Sequence, residues 1–367
     1  MPVGIQQRVY YMSRIPQADY RTVKPFNTSA PYNFERMLME DKDLAKYEPK
    51  TRDNKGFSTG SYFPTEVYLF EHDMSASKKF DVSSHLIGKW LLAAMGAVAT
   101  AQPDAGGNPL VYRHTFTPLD PAVSLQAPAY TFGEKLGSGL DALFPSVCVK
   151  KLKISGDDVG RLKGEVDLIG SGKRTEPSGA ILAPTASYNV PAFPTYVYFS
   201  GSQLALSVRD AGTLANPINY CSGLRVNTWS VEINRSFAED AGYRQCAGDF
   251  QTSNDPDSGA IRSELLQSDF DVVIQFQVRV ESGSAEYTAL QTAKQLDWNA
   301  VLTGKLISGS YNHKLTLNSL LNQYKAVEIG NQDELAVFNI TVRQLFDSAT
   351  GNSFKAILDN TTASYTS

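Results

Sequence analysis

Hydrophobic and polar residues alternate in short segments through most of the chain from Tyr62 onward. Segment 271–280 is the clearest, because every second residue is apolar and the residues between are mostly polar. Successive side chains of a strand point to opposite faces, so this period predicts a strand with one buried and one solvated face. Segments 229–234 and 162–168 follow the same alternation. The pattern predicts antiparallel sheets that pack against a core on one side only.

Two segments carry apolar residues at helical spacing instead. The first, 81–96, begins at a potential cap (Asp81 or Ser83) and ends at Gly96. The second, 284–298, has a potential cap at Ser282 or Ser284. Capping residues at the start and glycine at the end are typical of helix boundaries. We therefore expect two helices among the strands.

The two predicted helices precede similar series of strands, which indicates an internal duplication. The first series is predicted at 111–116, 130–134, 147–154 and 160–170, and the second at 311–317, 325–329, 335–342 and 353–358. The predicted organisation is an N-terminal strand and extended arm (1–60), module 1 (61–175), a linker with connecting strands (176–222) and module 2 (223–367). Within the arm, 14–60 is predicted to be irregular, because four prolines interrupt it.

Length and composition fit this organisation and exclude several classes of protein. The 367 residues exceed the roughly 100–200 residues of a usual single domain. A net charge of -4 gives no reason to expect tight nucleic-acid binding, which needs clustered Lys and Arg. The N-terminus lacks the apolar region of a signal peptide, and no run approaches the ~20 apolar residues that cross a bilayer. We expect a protein made in the cytoplasm, without a membrane partner.

No residue pattern points to catalysis, a metal or a cofactor. The cysteines (Cys148, Cys221 and Cys246) are odd in number and widely spaced, so they fit neither a disulfide framework nor a metal knuckle. None of the four histidines lies in a nucleophile or metal-ligand motif. Segment 170–175 resembles the end of a phosphate-binding loop, but the required first glycine is replaced by Asp167, so a turn is expected there. The sequence predicts a protein that is not an enzyme and has no cofactor.

Several segments resemble the tail tube (major tail) proteins of long-tailed, siphovirus-like bacteriophages. They are Leu-Leu-Ala-Ala-Met-Gly at 91–96, Tyr-Arg-His-Thr-Phe at 112–116, the hairpin at 148–170, and the segments 224–234 and 344–360. The resemblance covers roughly residues 57–367. It implies a mainly β chain with two tandem tail-tube modules, each a β-sandwich with one flanking α-helix. The inner sheets would join into a ring-shaped β-barrel on assembly.

The resemblance also implies a function, a location and partners. Stacked rings would form the tail tube of the virion, the conduit for DNA ejection into the host. The partners would be further copies of the chain, the tape measure, terminator and distal tail proteins, and viral DNA that passes without specific binding. Single-module relatives close six copies into a ring, so a two-module chain would form a trimer with pseudo-sixfold symmetry; a helically stacked hexamer is the alternative.

Two sets of residues are candidates for this function. The polar faces of segments 229–234 and 271–280 would line the lumen, with Ser230, Glu232, Asn234, Gln275, Gln277 and Arg279. The arm at 14–60 and the loop at about 237–262 would bridge subunits or rings, with the aromatic residues Phe237, Tyr243 and Phe250 in that loop. Two other functions remain open: another virion structural protein, such as a tail terminator or a capsid-associated β-sandwich, and a carbohydrate-binding β-sandwich module.

Overall fold

The computed structural model describes most of the chain, and the described part is mainly β, as the sequence predicts. The described residues are 8–20, 33–40, 45–53, 63–64, 66–136, 140–157, 159–175, 196–211, 218–221, 225–239, 258–280, 285–332, 334–345 and 354–366. The strands are β1 (Arg8–Ser13), β2 (Phe34–Met37), β3 (Lys46–Asp53), β4 (Val67–Asp81), β5 (Gly96–Ala101), β6 (Tyr112–Pro118), β7 (Tyr130–Leu136), β8 (Leu140–Gly156), β9 (Lys163–Gly170), β10 (Leu204–Asp210), β11 (Ile218–Asn219), β12 (Val226–Phe237), β13 (Ser258–Ala260), β14 (Gln267–Arg279), β15 (Leu296–Ser308), β16 (Tyr311–Gln332), β17 (Leu335–Gln344) and β18 (Phe354–Asn360). The helices are α1 (Leu86–Met95) and α2 (Ala285–Gln291).

Antiparallel pairing joins most of these strands into two large sheets, and β13 pairs parallel with β4. Sheet I has the order β3-β4-β9-β8-β12-β14-β17-β16. Sheet II has the order β5-β6-β18-β16-β15-β10-β11. The alternation predicted the buried faces correctly: Val231 and Ile274 of sheet I share one hydrophobic cluster with Trp298, Leu317 and Leu358 of sheet II. The two sheets therefore form a β-sandwich around one core.

Strand β16 belongs to both sheets and makes a corner of the sandwich. Its first half pairs with β15 and its second half with β17, and Asn322 is the residue that pairs in both directions. The sequence predicted two separate strands here, because Asn318, Ser319 and Asn322 interrupt the apolar pattern. In the structure these polar groups are buried and satisfy each other: Ser319 Oγ donates to Asn322 Oδ1 at 2.6 Å. Asn322 Nδ2 also donates to the carbonyl oxygen of Leu296 at 3.1 Å.

A smaller sheet, sheet III, has the order β2-β1-β7-β8 and continues into sheet I through β8. A buried ion pair attaches it to β4: Lys78 Nζ lies 3.0 Å from Glu134 Oε1. The same ammonium lies over the ring of Tyr10, 4.4 Å from its centroid. Unpaired charges are strongly disfavoured inside a protein, so this contact fixes how β7 sits against β4.

Helix α1 is buried along its whole length and contacts strands of both sheets. Its end at Gly96 is as predicted, because Gly96 has φ 105°, a left-handed conformation that favours glycine. Its start lies later than predicted, since β4 continues through Asp81. Ser83 still acts near the start of the helix, where its hydroxyl accepts a hydrogen bond from the Leu86 N–H at 3.4 Å.

Helix α2 is shorter than the sequence predicts. The apolar spacing continued to residue 298, but Ala293 has φ 48° and ends the helical path. Leu296 and Trp298 belong to β15, where both side chains are buried. Core packing of these two residues in sheet II overrides the local helical spacing.

The segment 14–60 is also more regular than predicted, because it contains β2 and β3. Its prolines misled the prediction: Pro49 lies within β3, at the end of sheet I, where a proline costs no ladder hydrogen bond on the outer side. Most side chains of β3 are exposed, so its charged sequence does not show the alternation of apolar and polar residues that predicts a strand.

The two halves of sheet I have the same order of pairing. The first half is β3-β4-β9-β8, and the second is β12-β14-β17 followed by the second half of β16. In each half a helix follows the second strand, α1 after β4 and α2 after β14. A bulge also interrupts the last pair of each half, between Val149 and Lys151 in β8 and between Tyr324 and Ala326 in β16.

Candidate functional site

The six residues predicted to line a lumen all lie on the polar face of sheet I. In β12, Trp229, Val231 and Ile233 point into the core, so Ser230, Glu232 and Asn234 point to the opposite face. In β14 the same alternation puts Gln275, Gln277 and Arg279 on that face. Ser230 lies directly opposite Gln275 in the ladder. The polar face of sheet I is therefore the candidate functional surface.

A groove crosses this face from β8 to β16. Its polar lining includes Lys153, Ser155, Thr228, Ser230, Gln275, Gln277, Glu328, Asn339 and Thr341. Three of the six predicted residues thus lie in the groove, and Glu232, Asn234 and Arg279 lie on the same face beside it. The groove shows that the face is concave along this part of the sheet.

Amide side chains form a hydrogen-bonded row along the groove. Gln277 Nε2 donates to Asn339 Oδ1 at 2.9 Å, and Asn227 Nδ2 donates to Gln277 Oε1 at 3.3 Å. Asn227 Nδ2 also donates to Gln332 Oε1 at 2.9 Å. Amides that bond each other present a neutral surface with few free donors. Asn339 is not among the residues predicted from the sequence, although the alternation in β17 places it on the polar side.

The lysines of this face have acidic neighbours across the strands. Lys151 Nζ lies 3.2 Å from Asp167 and 3.4 Å from Glu165. Burial alone would lower the pKa of Lys151, but the hydrogen bonds and charges of Asp167 and Glu165 outweigh it and raise the pKa. Lys153 lies opposite Glu232 in the ladder. Lys151 is therefore ion-paired and Lys153 has an acidic neighbour, which weakens the attraction of these two lysines for phosphate.

Three of the four histidines have hydrogen-bond partners in their own chain. His72 shares a 2.8 Å hydrogen bond with the Tyr47 hydroxyl, and His114 with Thr100 at 2.9 Å. His85 lies 2.9 Å from Glu35. Nδ1 of His313 is buried and has no hydrogen-bond partner among the described residues. In the described ranges, no group of three His, Cys, Asp or Glu residues is arranged to hold a metal ion.

Of the three residues predicted for the inter-ring loop, the described part of the chain contains Phe237. The prediction for this residue is corrected, because Phe237 lies at the end of β12 and is buried in a small cluster of its own chain with Tyr20, Cys148 and Leu265. Its aromatic character is explained by this packing, so it does not offer a free side chain to another ring. Tyr243 and Phe250, and most of the loop at 237–262, lie outside the described residues.

Comparisons with known proteins add little to this description. No family model matches the chain, and no curated protein matches it. Among solved structures, the chain is similar to a mutant form of the Hcp1 protein from the E. coli EAEC 042 pathovar, with 12% identity and a TM-score of 0.21. That match covers 39% of this chain and 86% of the other. A likeness at this TM-score carries no weight for function. Neither helix of the described ranges has the length and apolar character of a membrane span.

Proposed function

We propose that this protein is a structural subunit that assembles into stacked rings and forms the tail tube of a long-tailed bacteriophage. The chain has no catalytic role in this proposal. Its two modules each contribute one sector of the wall, so three chains make a ring with six similar sectors. Other tail proteins would cap the tube and set its length, and DNA would pass through its lumen into the host.

The observation that carries the proposal is the repeated pairing order of sheet I. The first half joins the second through the pair β8–β12 within the chain. The same kind of junction between chains would continue the sheet from one subunit to the next. Closing a sheet around a ring removes its exposed edges, which otherwise favour uncontrolled aggregation.

The chemistry of the polar face supports the assignment of that face to the lumen. Its amides bond one another, and its lysines lie beside acids. Every unpaired Lys or Arg facing DNA would bind phosphate and slow its passage, so a neutral, hydrogen-bonded lining suits a conduit. Ser230, Glu232, Asn234, Gln275, Gln277 and Arg279 are the proposed lining residues.

The repeat also supports a role for two loops in stacking. The connection between β3 and β4 and the connection between β12 and β14 occupy equivalent positions in the two halves of sheet I. In a ring with six similar sectors, both loops would project from the same end of the ring toward its neighbour. Much of each loop lies outside the described residues.

Electron microscopy of the purified protein tests the function directly. We expect hollow tubes or rings, and a cryo-EM reconstruction with three chains per ring and six similar lobes. Six chains per ring, or one half of the chain outside the wall, would contradict the two-module arrangement. A protein that forms neither rings nor tubes under any assembly condition would contradict the function itself.

A further inference from the structure

The junction between the halves of sheet I is a template for a contact between two chains. In this junction β8 pairs antiparallel with β12, with Lys153 opposite Glu232 and Leu152 opposite Ile233. The strands at the two ends of the sheet are β3 and the second half of β16. Among the described residues, each of these two end strands has one neighbour in sheet I, β4 for β3 and β17 for β16.

The bulges establish which residues of β16 correspond to which residues of β8. In β8 the bulge falls between Val149 and Lys151, and in β16 between Tyr324 and Ala326. Counting from the bulge, Lys153 is two residues past Lys151, and Glu328 is two residues past Ala326. Glu328 therefore corresponds to Lys153, and Val327 corresponds to Leu152.

The neighbouring strands establish the correspondence between β3 and β12. Leu168 lies opposite both Val149 and Ala76, and Val342 lies opposite both Tyr324 and Ile274. Ala76 thus corresponds to Ile274, and the preceding residues, Ser75 and Val273, correspond to each other.

Ser75 lies opposite Lys46, and Val273 lies opposite Glu232. Lys46 therefore corresponds to Glu232. The next residue along each strand gives the second pair, so Tyr47 corresponds to Ile233.

We propose that β3 of one chain pairs antiparallel with the second half of β16 of a second copy, with Lys46 opposite Glu328 and Tyr47 opposite Val327. This inference rests on the proposed function and specifies the contact that closes the ring. Three such contacts and three β8–β12 junctions would alternate around the wall.

Charge is complementary at the proposed contact. The template puts Lys153 of β8 opposite Glu232 of β12. The equivalent pair has the same two charges with the strands exchanged, because Glu328 is on β16 and Lys46 is on β3. Both side chains are exposed in the single chain and so are available to pair. Opposite charges that face each other across strands stabilise the pairing.

An exposed apolar residue marks the same edge. Ile154 lies in the template junction and is 1% exposed, whereas its counterpart three residues past the bulge, Ile329, is 65% exposed. Ile329 corresponds to a core position, but among the described residues no strand of its own chain covers it. On the other side, Tyr47 is packed against the core with its ring partly accessible. A second copy of the chain would cover both apolar groups.

Proline and the bulge limit the contact to a short segment. In the template, pairing ends at Asn234 opposite Lys151, beside the bulge. The corresponding end is Glu48 opposite Ala326, and Pro49 follows directly. Proline lacks the N–H that a further ladder bond would need, so it lies where the template predicts that pairing stops.

A cysteine pair in the full chain tests the register. Lys46→Cys/Glu328→Cys, oxidised during assembly, should give covalent species up to trimers on a non-reducing gel. An equal mixture of the two single variants should stop at dimers, and the wild type gives the background from its native cysteines. Lys46→Cys/Lys325→Cys is the matched control: a three-residue shift moves the Cα atoms ~10 Å along the strand, beyond disulfide reach, so we expect about tenfold less product.

Charge exchange gives an independent readout that needs no disulfide. Lys46→Glu and Glu328→Lys should each raise the concentration for half-assembly about three- to tenfold, and the double exchange should restore it. Circular dichroism checks that each variant is folded. Wild-type rings without a 46–328 cross-link, or with equal product from the shifted pair, would overturn the contact and leave the tube proposal standing. Absence of rings in the wild type would overturn both.

Discussion

At the scale of single residues, the structure contains buried charges that sequence patterns do not reveal. Glu35 on β2 lies 2.8 Å from Lys89 Nζ and 2.9 Å from His85 Nε2, and Glu35 and Lys89 are both buried. The contact fastens β2 to α1 across about fifty positions of sequence. Because long-range pairs of this kind carry no periodicity, the sequence predicted Lys89 only as one residue of a helix and Glu35 as part of an irregular arm.

The Glu35 cluster predicts a specific dependence of stability on pH. Burial alone would raise the pKa of Glu35, but Lys89 and His85 outweigh it and lower the pKa from 4.5 to about 2. A carboxyl with a lowered folded-state pKa stabilises the fold above its unfolded pKa, and this contribution is lost as pH falls from about 4.5 toward 2. Glu35→Gln should lower the free energy of unfolding at neutral pH by about 3 kcal/mol, because it leaves Lys89 buried without its partner.

The difference between Glu35→Gln and wild type should shrink as pH falls, since both then carry a neutral group at position 35. Urea unfolding at several pH values measures it, and the exposed Glu334→Gln is the control for loss of a surface carboxylate. A difference that stays constant from neutral pH to about pH 2 would show that lost packing, rather than charge, is responsible.

At the scale of elements, the alternation predicted the strands of the core well. It failed where polar residues are buried and where apolar residues fit both a helix and a strand. Segments 229–234 and 271–280 each have one buried face, and their faces were predicted correctly. Segment 311–329 was divided into two strands, because a buried polar corner looks like a loop in the sequence. Helix α2 was extended too far, because Leu296 and Trp298 fit both a helical face and a strand. Local pattern is ambiguous in such cases, and packing decides.

The buried amide of Asn322, at the corner of β16, predicts a large loss of stability when it is removed. Asn322→Ala removes the donor to the Leu296 carbonyl and the acceptor for the Ser319 hydroxyl, both buried. Leaving these groups unsatisfied should cost about 2 kcal/mol. Asn331→Ala, on the exposed end of the same strand, should change stability by less than about 0.5 kcal/mol. Urea unfolding of dissociated subunits compares them, and equal losses would mean that the corner is held by other contacts.

At the scale of the whole molecule, the duplication predicted from the order of elements has a counterpart in strand pairing. The sequence could indicate two similar series of strands, since each follows a helical segment. It could not indicate that β3 is part of sheet I, because strand order is set by long-range pairing. Once β3 is placed, the first four-strand unit begins before residue 61, the boundary predicted for module 1. We therefore propose that the first module includes β3.

The polar face of sheet I predicts how the assembled tube treats DNA. Replacing Ser230, Gln275 and Gln277 by lysine would put three added positive charges on a face whose lysines Lys151 and Lys153 have acidic neighbours. Because these positions lie on β12 and β14, and β17 separates β14 from the contact strand β16, the triple variant should still form tubes. It should bind DNA in the lumen, and the binding should weaken as salt rises. For each added lysine–phosphate contact, the binding constant should fall by up to about 0.9 log units when the salt concentration rises tenfold.

Short duplex DNA is added during assembly, a nuclease then digests the DNA outside the tubes, and sedimentation at increasing salt measures the DNA that is retained. The wild type should retain little DNA. The matched control has three lysines on the outer side of sheet II, at Ala205, Thr303 and Thr316, and should behave like the wild type because that side faces away from the proposed lumen. Equal DNA retention by both variants would place the polar face of sheet I outside the bore and would remove the chemical support for the lumen assignment.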